Sequence, residues 1–308
     1  MVFLKNKRLS ILYILFVAVY VWQTLNAPID KTLLAKYNIN SGQLKLISLT
    51  VIIPYIIIWL IALTGYIRIN SYVTFIKKDK DGKAFKSISQ GILALTLWLP
   101  ISTIVTNYFK RAYIEHHAAT ANLIRLDNYL NMLILLGGFL LIYKGSNNLL
   151  MIIKKPKNQS SLKFVLIYII FAALYVFLTL HDSARQFPTK SVATAAYYES
   201  DWLIVLTLVI PRLIYWFIGA QAVQNIFTYR KNVKGKLYKH ALNRLAQGIA
   251  GVVTATIVLR CYQSLSDPLA KLNLGLILAV VYLLLIGIST GYILIAKGAK
   301  NLQQLEEL

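Results

Sequence analysis

Eight long apolar stretches, separated by short polar segments, constrain this chain more than any other feature. They run Leu9–Leu25, Leu44–Ile67, Ile88–Tyr108, Asn122–Tyr143, Phe164–Leu180, Trp202–Ile226, Leu245–Gln263 and Leu272–Ala296. Each has the length needed to cross a hydrocarbon core of about 30 Å as a helix. Backbone groups in hydrocarbon must be satisfied within the segment, so each stretch is expected to be helical. Composition agrees: 57% of the 308 residues are apolar and 14% are charged, against roughly 25% charged in a soluble globule. The expectation is an all-α polytopic membrane protein with eight transmembrane helices.

The net charge of +22 would ordinarily suggest nucleic acid, but its distribution points elsewhere. With the N-terminus inside, 22 of the 33 Lys and Arg fall in cytoplasmic loops and tails, nine fall outside, and Arg212 and Arg260 lie within spans. An excess of Lys and Arg on one side sets the orientation of membrane proteins. The expected location is therefore the cell membrane, multi-pass, with both termini cytoplasmic and no nucleic-acid partner. Residues 70–87 and 227–243 are read as cytoplasmic loops, and 110–120 and 182–200 as outer loops. The basic cytoplasmic loops, with Tyr72, Phe75 and Phe85 in one and Phe227, Tyr229 and Tyr238 in the other, are candidate contacts for anionic lipid headgroups of the bilayer. Plain orientation signals explain them equally well, and protein partners cannot be named from them.

The chain also repeats itself. Phe16-x-x-x-Tyr20-Val21-x-x-Thr24-Leu25 recurs as Phe171-x-x-x-Tyr175-Val176-x-x-Thr179-Leu180. The set Thr50, Pro54, Trp59 recurs as Thr207, Pro211, Trp216, and Gln90-Gly91-Ile92 recurs as Gln247-Gly248-Ile249. Gly138-x-x-Leu141-Ile142-x-Lys144-Gly145 recurs as Gly291-x-x-Leu294-Ile295-x-Lys297-Gly298. Matched Pro, Trp, Gln-Gly and Lys-Gly in order signal duplication. Two units follow, residues 1–155 and 156–308, each a four-helix membrane repeat. Four is even, so the repeats should lie parallel, related by a pseudo-two-fold axis along the membrane normal. The first helix imitates a signal peptide, but its counterpart is an internal span, so it is expected to be retained.

Candidate functional residues cluster on the second and sixth stretches. Pro54 and Pro211 sit well inside their spans, where proline removes a helix hydrogen bond and kinks the helix. Thr50 and Thr207, four residues earlier, share that face and could satisfy freed backbone groups. Packing alone also explains such prolines. Arg212 lies about 15 Å below the outer boundary if the span begins at Trp202, and an arginine at that depth costs at least about 2.5–3.5 kcal/mol. Trp216 shares its face and offers a cation–π partner. Tyr55 and Trp59 hold the corresponding places in the first half, so the aromatic residue is kept and the charge is not. Arg212, Trp216, Tyr55, Trp59, Thr50 and Thr207 are thus the expected ligand-binding set, between the second and sixth helices. An Arg bonded to carbonyls exposed by the kinks is the structural alternative. Arg260 can reach the outer surface along its own stem.

Other chemistries find little support. All eleven acidic residues lie in loops, tails or helix ends, no lysine lies mid-span, and all four histidines are in loops. Neither a phosphate loop nor a zinc-helix motif is present. The single cysteine, Cys261, makes no intrachain disulfide. Glu115, His116, His117, His181, Asp182, Glu199 and Asp201 on the outer side are metal-ligand types without a recognised spacing. Gly287-x-x-x-Gly291 is a close-packing surface, expected inside the bundle. The expectation is therefore a protein that is not an enzyme and has no cofactor and no metal. A transporter or ligand-binding membrane protein for a polar or anionic small molecule or lipid fits best; a non-catalytic subunit, scaffold or sensor is the alternative.

Overall fold

A computed structural model describes residues 7–26, 40–76, 80–116, 120–153, 163–181, 206, 209–264 and 274–306. Among them the fold is all helical, without a strand. The helices are α1 (Lys7–Leu25), α2 (Ser41–Phe75), α3 (Lys80–His116), α4 (Thr120–Ile152), α5 (Lys163–His181), α6 (Ile210–Asn232), α7 (Lys236–Ser264) and α8 (Leu274–Gln303). A short 3-10 turn, Gln304–Glu306, follows. Asn40 opens α2 with a capping box: its side chain accepts from the Gln43 N–H, and the Gln43 side chain accepts from its own. Two of the N–H groups that a helix start leaves without partners are thereby satisfied.

Six of these helices, α1, α2, α3, α4, α7 and α8, are long and apolar enough to cross a membrane by length and composition. A shorter apolar helix covers Val165–Leu178 of α5. Eight spans were expected; α6 falls short within its described length. The reason is chemical, because its second half carries Gln221, Gln224, Asn225, Thr228 and Arg230 while most of the apolar stretch 202–209 lies outside the described residues. The outer surface of the bundle is compatible with a membrane location. Ile14, Leu133, Ile170, Phe177 and Leu283 are each more than half exposed, and a soluble monomer rarely carries so much contiguous apolar surface.

The basic segments are not loops. Helix α2 continues to Phe75 and α3 starts at Lys80; α6 and α7 are separated by residues 233–235. Helix α2 has 35 residues and α3 has 37, or about 50–55 Å at 1.5 Å per residue, longer than a hydrocarbon core of about 30 Å. Lysine is a good helix former and neither 70–75 nor 236–243 contains Pro or Gly, so nothing ends the helices where the charge begins. Gly235, with φ of 89°, takes the left-handed conformation that the α6–α7 turn requires.

The packing partners pair off. Helix α1 packs on α2 and α3 as α5 packs on α6 and α7; α3 packs on α4 as α7 packs on α8. Across the halves α2 packs on α8 and α6 on α4. The α3–α4 and α7–α8 seams use glycines to bring backbones together. A Cβ on Gly91 would lie 2.5 Å from the Gly138 carbonyl oxygen, and one on Gly248 would lie 2.7 Å from that of Gly291. Two turns on, Gly145 meets the Ala84 carbonyl and Gly298 meets that of Ala241, at 2.5 and 2.9 Å for the same added atom. Gly287, by contrast, faces open space. The close-packing pair on α8 is thus Gly291 and Gly298, spaced seven apart, rather than Gly287 and Gly291.

Candidate functional site

Two aromatic clusters stand out, one between α1 and α2 and one between α5 and α6. In the first, Tyr20 of α1 packs against Trp59 of α2, with ring centroids 5.1 Å apart, and edge-on against Tyr55 at 6.2 Å. In the second, Tyr175 of α5 packs edge-on against Trp216 of α6 at 4.9 Å. Where the first half has Tyr55, the second has Arg212. Its Nη1 donates to the Tyr175 hydroxyl at 2.6 Å, and its guanidinium carbon lies 5.9 Å from the Tyr175 ring centroid. Trp216 is fully buried and donates through Nε1 to the Thr256 hydroxyl of α7 at 3.2 Å. That hydroxyl in turn donates to the Val253 carbonyl at 2.7 Å. Two buried hydrogen-bonded contacts, Arg212 to Tyr175 and Trp216 to Thr256, joined by the Tyr175–Trp216 ring contact, therefore link α5, α6 and α7.

Tyr175 of α5 is a cation–π partner of Arg212 and meets the Trp216 indole edge-on, so its ring touches both residues. Nor do the expected residues form one cluster between α2 and α6. The main partner of α2 across the halves is α8, and that of α6 is α4, so Tyr55 and Trp59 stand apart from Arg212 and Trp216.

Pro54 lies inside α2. Pro211 stands in the first turn of the described α6, and Val209 ahead of it is itself helical, with φ of −73° and ψ of −55°. Thr50 is exposed; its hydroxyl donates to the Ile47 carbonyl at 2.7 Å and accepts from Tyr282 of α8 at 2.6 Å. It faces α8, away from the Tyr20–Trp59 cluster. Thr207, the outer residues Asp182, Glu199 and Asp201, and the side chains of Arg260, Glu115, His116 and His181 lie outside the described residues, as does His117.

Sequence reasoning missed a polar site at the basic end. Asp81, in the first turn of α3, accepts from the Tyr229 hydroxyl of α6 at 2.8 Å and from the Tyr238 hydroxyl of α7 at 3.1 Å, both on Oδ2. The Tyr238 ring lies 6.4 Å from Phe85, which meets Tyr72 edge-on at 5.3 Å. Burial pushes the Tyr229 hydroxyl above its ordinary value, and the Asp81 carboxylate adds to the shift, so the phenol remains a donor at neutral pH. Asp81 was read as a loop acid; it is a half-buried acceptor joining the two hairpin tips. Asx–Tyr contacts between distant segments leave no periodic signal. Hydrogen bonds to a charged group contribute about 1.5–3 kcal/mol when buried, and partial exposure brings Asp81 toward the low end. Asp81→Ala is therefore expected to loosen the tips and speed tryptic cleavage beside Lys234 and Lys236 several-fold. A cleavage rate equal to that of the wild type would show that this contact does not hold the hairpins.

Asn225 Nδ2 donates to the Ser146 hydroxyl at 3.3 Å across α6 and α4, and Trp98 Nε1 to Asn131 Oδ1 at 2.8 Å across α3 and α4. The run Gln221, Gln224, Asn225, Thr228 was the available signal for the first, because buried polar groups recur every three or four residues. Comparison with protein-family models, with curated proteins and with solved structures finds no match to this chain.

Proposed function

We propose that this chain is a multi-pass membrane protein of eight helices, built from two parallel four-helix repeats, with both termini cytoplasmic. In this reading it binds a polar or anionic small molecule or lipid at Arg212 and acts as a non-enzymatic transporter or ligand-binding protein. The repeat reading is supported by the paired seams: Gly91–Gly138–Ile142 and Gly145–Ala84–Ile88 correspond contact for contact to Gly248–Gly291–Ile295 and Gly298–Ala241–Leu245. Tyr20–Trp59 and Tyr175–Trp216 extend the correspondence to the α1–α2 and α5–α6 pairs.

The observation that carries the ligand reading is the buried guanidinium at the one place where the two clusters differ. In the repeat reading Tyr55 holds that place in the first half, which supports a fold that does not need a cation there. A membrane helix that keeps an expensive charge the fold does not need retains it by default for function. The Tyr175 hydroxyl and ring orient the guanidinium, a group whose geometry matches a carboxylate or phosphate. Native mass spectrometry of the purified chain beside Arg212→Gln tests this. A small molecule retained by the wild type and lost from the variant supports the reading. Identical ligand content in both would sink it, and a protein partner recovered in place of a small molecule would favour a subunit or scaffold.

A further inference from the structure

We infer that an anionic phospholipid occupies a groove on the α2–α8 face, its headgroup on Arg68 and its chains either side of Leu60. The groove, of about 330 Å³, is lined by Ile57, Leu60, Ile61, Thr64, Arg68 and Ala296. Its walls are aliphatic for most of its length, and Arg68 closes it. Eleven residues of α2 separate Ile57 from Arg68, about 16 Å at 1.5 Å per residue. That geometry sets a cation at one end of a long apolar trough.

Leu60 is the ridge between this groove and a second. On its other side an apolar crevice of about 390 Å³ lies between α1 and α2, lined by Tyr13, Ile14, Val17, Ile56 and Leu63 besides Leu60 and Ser10. Two parallel apolar troughs with one shared wall fit a lipid with two acyl chains. Leu60 and Ile57 are 41% and 50% exposed, so hydrocarbon can reach both.

The charge makes the site selective. Arg68 is half-buried, and its Nη1 reaches the Ala296 carbonyl only at 3.5 Å, which is at the limit of a hydrogen bond. A guanidinium has five N–H donors in a fork that matches phosphate. Thr64 donates its hydroxyl to the Leu60 carbonyl at 2.8 Å, so its oxygen can still accept from a headgroup hydroxyl. The position that the repeat aligns with Arg68 is Asn225, buried against Ser146, so no guanidinium stands there. The site is separate from Arg212, which lies on α6 against α5.

The test uses the full chain in detergent, with added phosphatidylglycerol or phosphatidylcholine, read by thermal stability and native mass spectrometry. Phosphatidylglycerol should raise the melting temperature of the wild type and remain bound, and phosphatidylcholine should do neither. Arg68→Gln should weaken that binding by at least about tenfold, the scale of one lost charge-assisted phosphate contact. Leu60→Trp, a substitution on an exposed apolar position, should fill the troughs and block binding even if Arg68→Gln proves unstable. Lys234→Gln and Lys239→Gln, on the hairpin tip, should leave it unchanged. Equal binding of both lipids, wild-type binding by Leu60→Trp, loss of binding through the tip lysines, or displacement by inorganic phosphate at millimolar concentration would each overturn the inference. Ligand retention at Arg212 is a separate readout, so either proposal can fail without the other.

Discussion

Leucine in place of Gly248 is expected to prevent recovery of folded, monodisperse protein. At this position even a Cβ would sit 2.7 Å from the Gly291 carbonyl oxygen and 2.7 Å from the Ile295 nitrogen. Those are backbone atoms of α8 and cannot rotate aside, so the two helices must part along the whole seam. Overpacking a core typically costs about 1–3 kcal/mol, and a clash against backbone belongs at or above the upper end. Native stability is only about 5–15 kcal/mol. Gly91→Leu should be as damaging, because its Cβ would meet the Gly138 carbonyl and Ile142 in the same way. Gly287→Leu supplies the control: nothing lies near that glycine, so the same substitution on the same helix as Gly291 should be tolerated. Size-exclusion profiles and melting curves of the three variants give the answer. Similar behaviour of Gly248→Leu and Gly287→Leu would contradict the packing described here.

Arg212→Leu separates two roles. If the arginine serves a ligand, the variant should keep or slightly raise thermal stability, because an expensive buried cation is removed, while ligand retention disappears. If it serves the fold, stability should fall by about 1.5–3 kcal/mol, the worth of a hydrogen bond to a charged group, since the Tyr175 hydroxyl loses its 2.6 Å donor. The first outcome is expected. In the repeat reading, Tyr20 and Tyr55, which meet edge-on, hold the corresponding place, a solution without charge. Tyr175→Phe should weaken ligand retention without abolishing it, by removing the group that orients the guanidinium. A large loss of stability in Arg212→Leu would reject the ligand role.

Parts of this architecture were legible in the sequence: the long apolar stretches predict helices, and six described helices are long and apolar enough to cross a membrane. Gly91 and Gly248 each meet a glycine carbonyl of a neighbouring helix, and Gly145 and Gly298 an alanine carbonyl. The buried state of Arg212 was legible from its place in an apolar run. Features that depend on how helices turn toward one another were not. Thr50 shares a helical face with Pro54 by spacing, but that face meets α8, so its hydroxyl serves Tyr282. Trp216 lies one turn from Arg212, but the Tyr175 contact comes from a distant helix, which spacing along α6 does not reveal. The Asp81 contact joins residues 148 and 157 positions apart through side chains of different type, so neither repetition nor periodicity points to it. Basic stretches resemble loops in composition, whereas their lysines continue the helices.

The central claim is that the chain crosses the membrane with its two halves the same way up and the hairpin tips inside. Single cysteines at positions 78 and 234, in a background with Cys261 replaced, test it in intact cells with a membrane-impermeant thiol reagent. Both positions should stay unlabelled until the cells are permeabilised and then react fully. Labelling of either one from outside would contradict the account.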